Sequence, residues 1–419
     1  MRILKPGDTG YEQETGGFNL AVTHRPDVVV PAESAEDVIA AIRHATDAGL
    51  PIAIMSTGHG PGLPADGGLL VTTRRMGNVT IDAAARTARV QAGARWGDVI
   101  RPASAYGLAP LSGSSPGVGV IGYTVGGGIG LMSRAYGFAA DRVRGLEIVT
   151  ADGRLRHVSA VHEPDLFWAL RGGKVTMGVI TSMTFDLLPH AHVFGGSLIY
   201  PGDSAREVFT AYLDWTRGLP EATTTSAALL RPPGAPPVVA VRVVHAGAGG
   251  ERVVAPMRAA APILADTLAD MPYRDTHTVY NDPEGPLPSW GRGVLLDDVD
   301  ADAVLAAADE SLTVVEIRHL GGAMAREAGN VGNAVGGREA AYSLSVHAVC
   351  APEAIKAGDA LMEVAGPRPA QVNLLGLTGD ALREQLRVAW RPEVIRRLAE
   401  IRRAYDPSGV FRFGYPVEE

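Results

Sequence analysis

Residues 111–131 read LSGSSPGVGVIGYTVGGGIGL, with eight glycines among the eighteen positions from Gly113 to Gly130. An interior glycine costs a helix about 1 kcal/mol relative to alanine, so this stretch predicts a loop and not a continuous helix. Gly117-Val-Gly119-Val-Ile-Gly122 has the spacing of a dinucleotide-binding turn, and Asp141 follows 19 residues after Gly122. Such a turn should pass from a strand straight into a helix. Here it leads into Tyr123-Thr-Val-Gly126-Gly127-Gly128-Ile-Gly130, too glycine-rich to continue as one, which disfavours a Rossmann fold. What the stretch keeps is bare backbone, whose uncovered N–H groups cradle a pyrophosphate without any lysine.

Upstream, residues 26–54 predict a strand ending at Pro31, a helix capped by Ser34 with Asp37 three residues on, a stop at Gly49 and a second strand through LPIAI. A sharp turn follows at Ser56-Thr57-Gly58-His59-Gly60, where two glycines leave the His59 ring free to approach a ligand. Downstream, residues 145–159 predict a hairpin through Asp152-Gly153. Glycine clusters end near Leu188. Beyond it PPVVAVRVVHAG, LTVVEIRHL and REAAYSLSVHAVC read as long β-branched strands of one antiparallel sheet with helices on one face. The helix over 380–405 carries Arg383, Arg387, Arg396, Arg397, Arg402 and Arg403 as a solvated face.

Length and composition set outer bounds. The 419 residues suit two or three domains with substantial cores, and 46% apolar against 20% charged residues describes a globular chain. A formal charge of −8 disfavours nucleic acid as a partner. One cysteine, Cys350, excludes internal disulfides and multi-thiolate metal sites, and no His-Glu-x-x-His spacing offers a catalytic metal. There is no Gly-x-Ser-x-Gly elbow for a serine hydrolase. No apolar h-region or membrane-length apolar run is seen, so the expectation is a soluble, cytoplasmic protein with no membrane partner.

Several blocks together resemble a known family. Gly58-His59-Gly60, Ala92-Gly93-Ala94-Arg-Trp96-Gly-Asp98, the run Gly113–Gly130, Tyr136-Gly137-Phe138-Ala-Ala-Asp141 and Asp165-Leu-Phe-Trp168-Ala-Leu-Arg171-Gly172-Gly173 occur in order. So do Glu316-Ile-Arg-His-Leu-Gly321-Gly322, Val372-Asn373-Leu and Tyr405-Asp406-Pro407. These are similar to the berberine bridge enzyme-like branch of the vanillyl alcohol oxidase superfamily, with PCMH-type FAD binding, over roughly residues 22–416. The resemblance implies a two-domain α+β fold: an FAD-binding domain over 1–189, a substrate domain with an antiparallel sheet over 190–378, and a segment 379–419 returning to the FAD domain. It implies FAD bonded once, through His59, because Ser115 stands where some members carry a second, cysteine link.

The cofactor-binding residues expected on this basis are Ser56, Thr57, Gly58, His59, Gly60, Ser114, Ser115, Gly119, Gly122, Tyr123, Gly126, Gly127, Gly128, Asp141, Gly178, Val179, Ile180 and Tyr415. Val118 falls where a small aliphatic residue is associated with oxygen access, which favours an oxidase. The implied activity is removal of hydride from an alcohol, amine or activated C–H of a small metabolite, with dioxygen as acceptor, in a secondary-metabolic role; the oligomeric state is open. Met55 replaces a common Arg, and Val175-Thr176-Met177 replaces a usual Gly-Asn-Phe. The tyrosines of the family's Tyr-x-Asn-Tyr pattern are Gln371 and Leu374 here. Glutamine takes no proton, so Tyr342, His347, Tyr280 and Tyr415 become the candidate bases. The loss also leaves open a non-redox cyclase on a flavoprotein scaffold, or a ligand-sequestering protein.

Overall fold

A computed structural model of the chain describes residues 1–415 apart from 61–62, 330, 367–368, 371 and 376–378. Strands β1 (Val28–Pro31), β2 (Ile52–Met55) and β3 (Leu69–Thr72) form a small parallel sheet with β3 central. The crossover is the helix Ala35–Ala48, where Ser34 Oγ accepts from the Asp37 N–H and Gly49 closes the far end at φ +66°. Val38, Ala41, Ile42 and Ala45 recur at helical spacing and are buried. A five-stranded antiparallel sheet follows, built from β4 (Val79–Asp82), β5 (Thr87–Gln91), β6 (Val143–Thr150), β7 (Leu155–Ser159) and β8 (Gly178–Asp186) in the order β4-β5-β8-β6-β7. Within the glycine run only Val120–Thr124 is helical.

The second half of the chain carries an eight-stranded antiparallel sheet. Its strands are β9 (His192–Pro201), β10 (Thr223–Leu230), β11 (Val238–His245), β12 (Ala265–Asp266), β13 (Ala269–Pro272), β14 (Ser289–Leu296), β15 (Val314–His319) and β16 (Tyr342–Val349). The order is β12-β9-β11-β10-β15-β16-β14, with β13 also paired to β9. The chain is thus α+β. The segment after residue 379 returns to the first half: Ile52 N–H donates to the Val410 carbonyl, and Arg397 pairs with Asp165 over the Trp168 ring. Among the described residues no helix is long and apolar enough to cross a membrane.

Side chains alternate between the two faces of a strand, and cross-strand partners share a face. Leu198, Val241, Ala227, Ile317, Leu344 and Val294 stand opposite one another across six strands, all buried. Burying each such larger side chain contributes about 1.5–3 kcal/mol. This face packs on helices: Tyr200 donates to the Met257 carbonyl of the helix Gly250–Arg258. The other face holds Ser197, Arg242, Ser226, Arg318 and Ser343 in one row.

This parity corrects one expectation. Tyr342, a candidate base, shares the apolar face with Leu344, and its hydroxyl lies 2.8 Å from Thr216 Oγ1 on the helix Ala205–Thr216. It is a core residue, turned away from Ser343 and the polar face. Tyr342→Phe should therefore cost about 1 kcal/mol in denaturant unfolding through the lost hydrogen bond, with kcat and KM unchanged.

Candidate functional site

Strand β2 ends at Met55 and the chain turns immediately through Ser56–Gly60. Gly58 lies at φ +71°, and a Cβ there would stand 2.6 Å from the Gly17 Cα. Two backbones cross at this point, and only glycine permits the approach. The crossing is hydrogen-bonded, Phe18 N–H to Thr57 O at 2.9 Å and Asn19 N–H to Gly58 O at 3.1 Å. It lays the Phe18 ring flat on His59, with centroids 3.8 Å apart and planes 14° from parallel. His59 Nδ1 is 2.9 Å from Thr57 Oγ1, while Nε2 is buried with no hydrogen-bond partner. Burial, helped by the nearby Arg95 charge, lowers the His59 pKa to about 4, so the ring is neutral at pH 7.

The second loop is held against the first. Gly119 faces Thr57 and Ser56, and the side of Gly117 that lacks a Cβ looks onto His59 Cε1 and Nε2 and onto Ser115. Gly122 faces open space. At Gly126 a Cβ would fall 2.1 Å from Asn373 Oδ1, so the missing side chain is what admits Asn373. Gly127 and Gly128 continue the bare run, and the Tyr123 ring fills the gap between Gly113 and Gly128. The Tyr123 hydroxyl is buried without a partner, and burial raises its pKa well above the ordinary value. Tyr415 arrives from the C-terminal segment with its ring 4.9 Å from Lys174 Nζ.

Other expected contacts lie elsewhere. Gly178, Val179 and Ile180 open β8 and pair with β6, Val179 fully buried. Asp141 is committed to the protein: it accepts from Phe138 N–H at 2.9 Å, Asn333 Nδ2 at 2.6 Å and Arg338 Nη2 at 2.5 Å. Its carboxylate ties the 138–141 turn to the 333–338 loop, a structural use in place of the ligand contact expected of it. Gln371 lies outside the described residues, and Leu374 packs against Gly293 of β14.

Facing the loops is the polar side of the eight-stranded sheet. Glu316 accepts from Arg242 at 3.0 Å and from Arg318 at 3.1 Å; Glu316 and Arg242 are buried and Arg318 is half-buried. Burial pushes the Glu316 pKa up, but Arg318 and Arg242 outweigh it and hold the carboxyl at about 2. Both guanidiniums lie over the Tyr280 ring, at 4.4 and 5.4 Å, and the Tyr280 hydroxyl is 3.1 Å from Ser226 Oγ. His347 is on the same face, opposite Gly291 and Val314. Its ring is open to solvent yet walled by protein, and that enclosure lowers its pKa against the raising effect of Glu316 and Asp282. Ser114 donates to Asp282 at 2.5 Å, joining the glycine loop to the Tyr280 segment.

The structure thus brings His347 and Tyr280 to one face, across from the loops of His59 and Ser114. Arg242, Glu316, Arg318, Asp282, Lys174 and Asn373 were missed as site residues. Glu316-Ile-Arg318 carried a readable signal, two charges at the spacing that puts both on one face of a strand. A glycine-lined cradle, an orphaned neutral imidazole nitrogen and a half-buried lysine fit a bound dinucleotide. Residues 26–159 match the family model of an FAD binding domain. Over 99% of its length the chain is 28% identical to (R)-6-hydroxynicotine oxidase of Paenarthrobacter nicotinovorans, covering 96% of that protein. It is 35% identical to the glucooligosaccharide oxidase of Sarocladium strictum over 42% of this chain and 36% of that one. The crystal structure of 6-hydroxy-D-nicotine oxidase from Arthrobacter nicotinovorans superposes with a TM-score of 0.86 at 25% identity, covering all of this chain and 97% of the other.

Glu316→Gln should destabilise the fold by about 3 kcal/mol, because the buried Arg242 and the half-buried Arg318 lose their charged partner. The wild-type contribution is present above the ordinary carboxyl pKa of 4.5 and is lost as pH falls toward about 2. Melting temperature against pH should accordingly drop across that window in the wild type and less in the variant. The chain thus carries an FAD binding domain over residues 26–159 and shares its fold along its whole length with a solved FAD-linked oxidase.

Proposed function

We propose that this FAD-dependent oxidase removes hydride from an alcohol, amine or activated C–H of a small metabolite, passes the electrons to dioxygen, and holds its flavin by one bond from His59 to the 8α-methyl group. The observation that carries the bond is the His59 ring itself. Thr57 occupies Nδ1, Phe18 covers one face, and Nε2 is left buried, neutral and unpaired. A buried nitrogen with no partner costs about 1–3 kcal/mol unless something in the working protein satisfies it. Ser115 adds no second link. In this reading residues 1–189 and 379–419 hold the cofactor, residues 190–378 hold the substrate, and the protein works in the cytoplasm.

FAD, when bound, supplies the hydride-accepting ring, so the protein's task is to place and deprotonate the substrate. Arg242, Glu316 and Arg318 form a fixed charged platform that clamps Tyr280. His347, neutral at pH 7, takes the substrate proton in the role that Gln371 and Leu374 leave vacant. Tyr280 is a poor acceptor, since burial raises its pKa, and it positions the substrate instead.

Two measurements test these assignments. After acid precipitation the yellow colour of the wild type should stay with the pellet, and that of His59→Ala should pass to the supernatant; colour in the wild-type supernatant removes the covalent bond from the reading. His347→Gln should lower kcat/KM by about 10²–10⁴-fold. In the wild type kcat/KM should be level above pH 7 and fall in acid with an inflection below the ordinary histidine value of 6.5, because enclosure lowers that pKa. The variant should lack this inflection.

A further inference from the structure

The glycine cradle holds one cation that its bare backbone does not require. Lys174 lies in the turn Arg171–Met177 between the helix Pro164–Leu170 and β8. Its backbone is left-handed at φ +48°, a region that non-glycine residues seldom enter and that persists where the surroundings impose it. The imposition is visible, since the N–H groups of Gly172 and Lys174 both donate to the Val125 carbonyl, at 2.9 and 3.0 Å. This aims the side chain between the two glycine loops. Lys174 Cδ passes 3.0 Å from where a Gly126 Cβ would be, and Nζ sits 3.6 Å from where a Gly60 Cβ would be. An alanine at 126 would crowd this path, whereas one at 60 would meet Nζ at ordinary contact distance.

At the end of that path Nζ donates to Asn373 Oδ1 at 2.8 Å and lies over the Tyr415 ring. Asn373 is itself fixed by donating to the Tyr123 carbonyl at 2.8 Å. Both partners are neutral. Among the described residues no carboxylate offsets this ammonium, and burial alone lowers its pKa, to about 8. Elsewhere in the same site a buried charge is matched, Glu316 by two guanidiniums. Burying a lone charge is expensive, so an unmatched lysine marks the place where an anion is to arrive.

We propose that the Lys174 ammonium is the counter-charge of the bound FAD, pairing with an anionic part of the cofactor between Gly60 and Gly126. The diphosphate carries such charge permanently and the reduced ring acquires it, so the same lysine chemistry has two sources within one molecule. This assignment does not depend on the His59 bond.

The test uses the purified holoenzyme with Lys174→Met and Lys174→Gln, the second keeping a hydrogen-bond donor for Asn373 without the charge. Circular dichroism establishes that each variant is folded. FAD per chain and the two-electron midpoint potential are then measured. If the charge faces the ring, both variants bind FAD as the wild type does, and their oxidised-to-reduced equilibrium shifts about tenfold against reduction, about 30 mV. If it faces the diphosphate, FAD per chain falls at least threefold and the potential holds. A change of less than threefold in both quantities, in either variant, overturns the proposal; a normal Gln variant beside an impaired Met variant would assign the role to the hydrogen bond.

Discussion

Parity along the strands of the eight-stranded sheet decides what the cofactor loops meet. One face must be apolar because helices cover it, and that requirement places every second residue of β10, β11, β15 and β16 on the opposite side. Arg242, Glu316, Arg318, Ser343, Ser345 and His347 are there because Val241, Val243, Ile317, Leu344 and Val346 are not. A slip of one residue in β16 would exchange His347 for Val346 and bury a histidine against helices. The large apolar row therefore fixes the chemistry of the site as firmly as it stabilises the fold.

The loops obey a different constraint, closeness of backbones. Gly17 over Gly58 and Asn373 over Gly126 are contacts that a single Cβ would forbid. Through the first, the N-terminal segment sets Phe18 on His59 and runs on to pair Leu20 with Leu287, just before β14. One strip of chain thus locks the histidine loop to the edge of the eight-stranded sheet. Ser114 with Asp282 makes a second such tie. These two joints hold loop and sheet in register without a charge on either side of the first.

Much of this was legible in the sequence, and the limits have physical causes. The strand-helix-strand opening was readable because capping by Ser34 and a stop at Gly49 are local interactions. The glycine run announced a cradle because glycine density reports backbone exposure wherever it occurs. The long strands were readable from β-branching, and the face of Tyr342 followed once Leu344 was known to be core. What stayed hidden was non-local. Asp141 sits at the expected distance from its glycines, yet Arg338, 197 residues on, claims it. Arg242 and Glu316 are 74 residues apart, and nothing in either neighbourhood names the other. Lys174 carried no signal in its glycine turn, and its direction emerged only with Val125 and Asn373 in place.

The two buried charge arrangements complete the electrostatic logic. On the sheet side Glu316 is balanced by Arg242 and Arg318, and that network is satisfied within the chain, so it can stay rigid. On the loop side the protein leaves both a neutral imidazole nitrogen and a lysine unmatched, within loops that touch each other. A fold tolerates such groups where a permanent ligand completes them, and not where a transient one does, because the desolvation cost would return with every turnover. The contrast between the unmatched groups of the loops and the internally satisfied Arg242–Glu316–Arg318 network supports reading the loops as the seat of the resident cofactor.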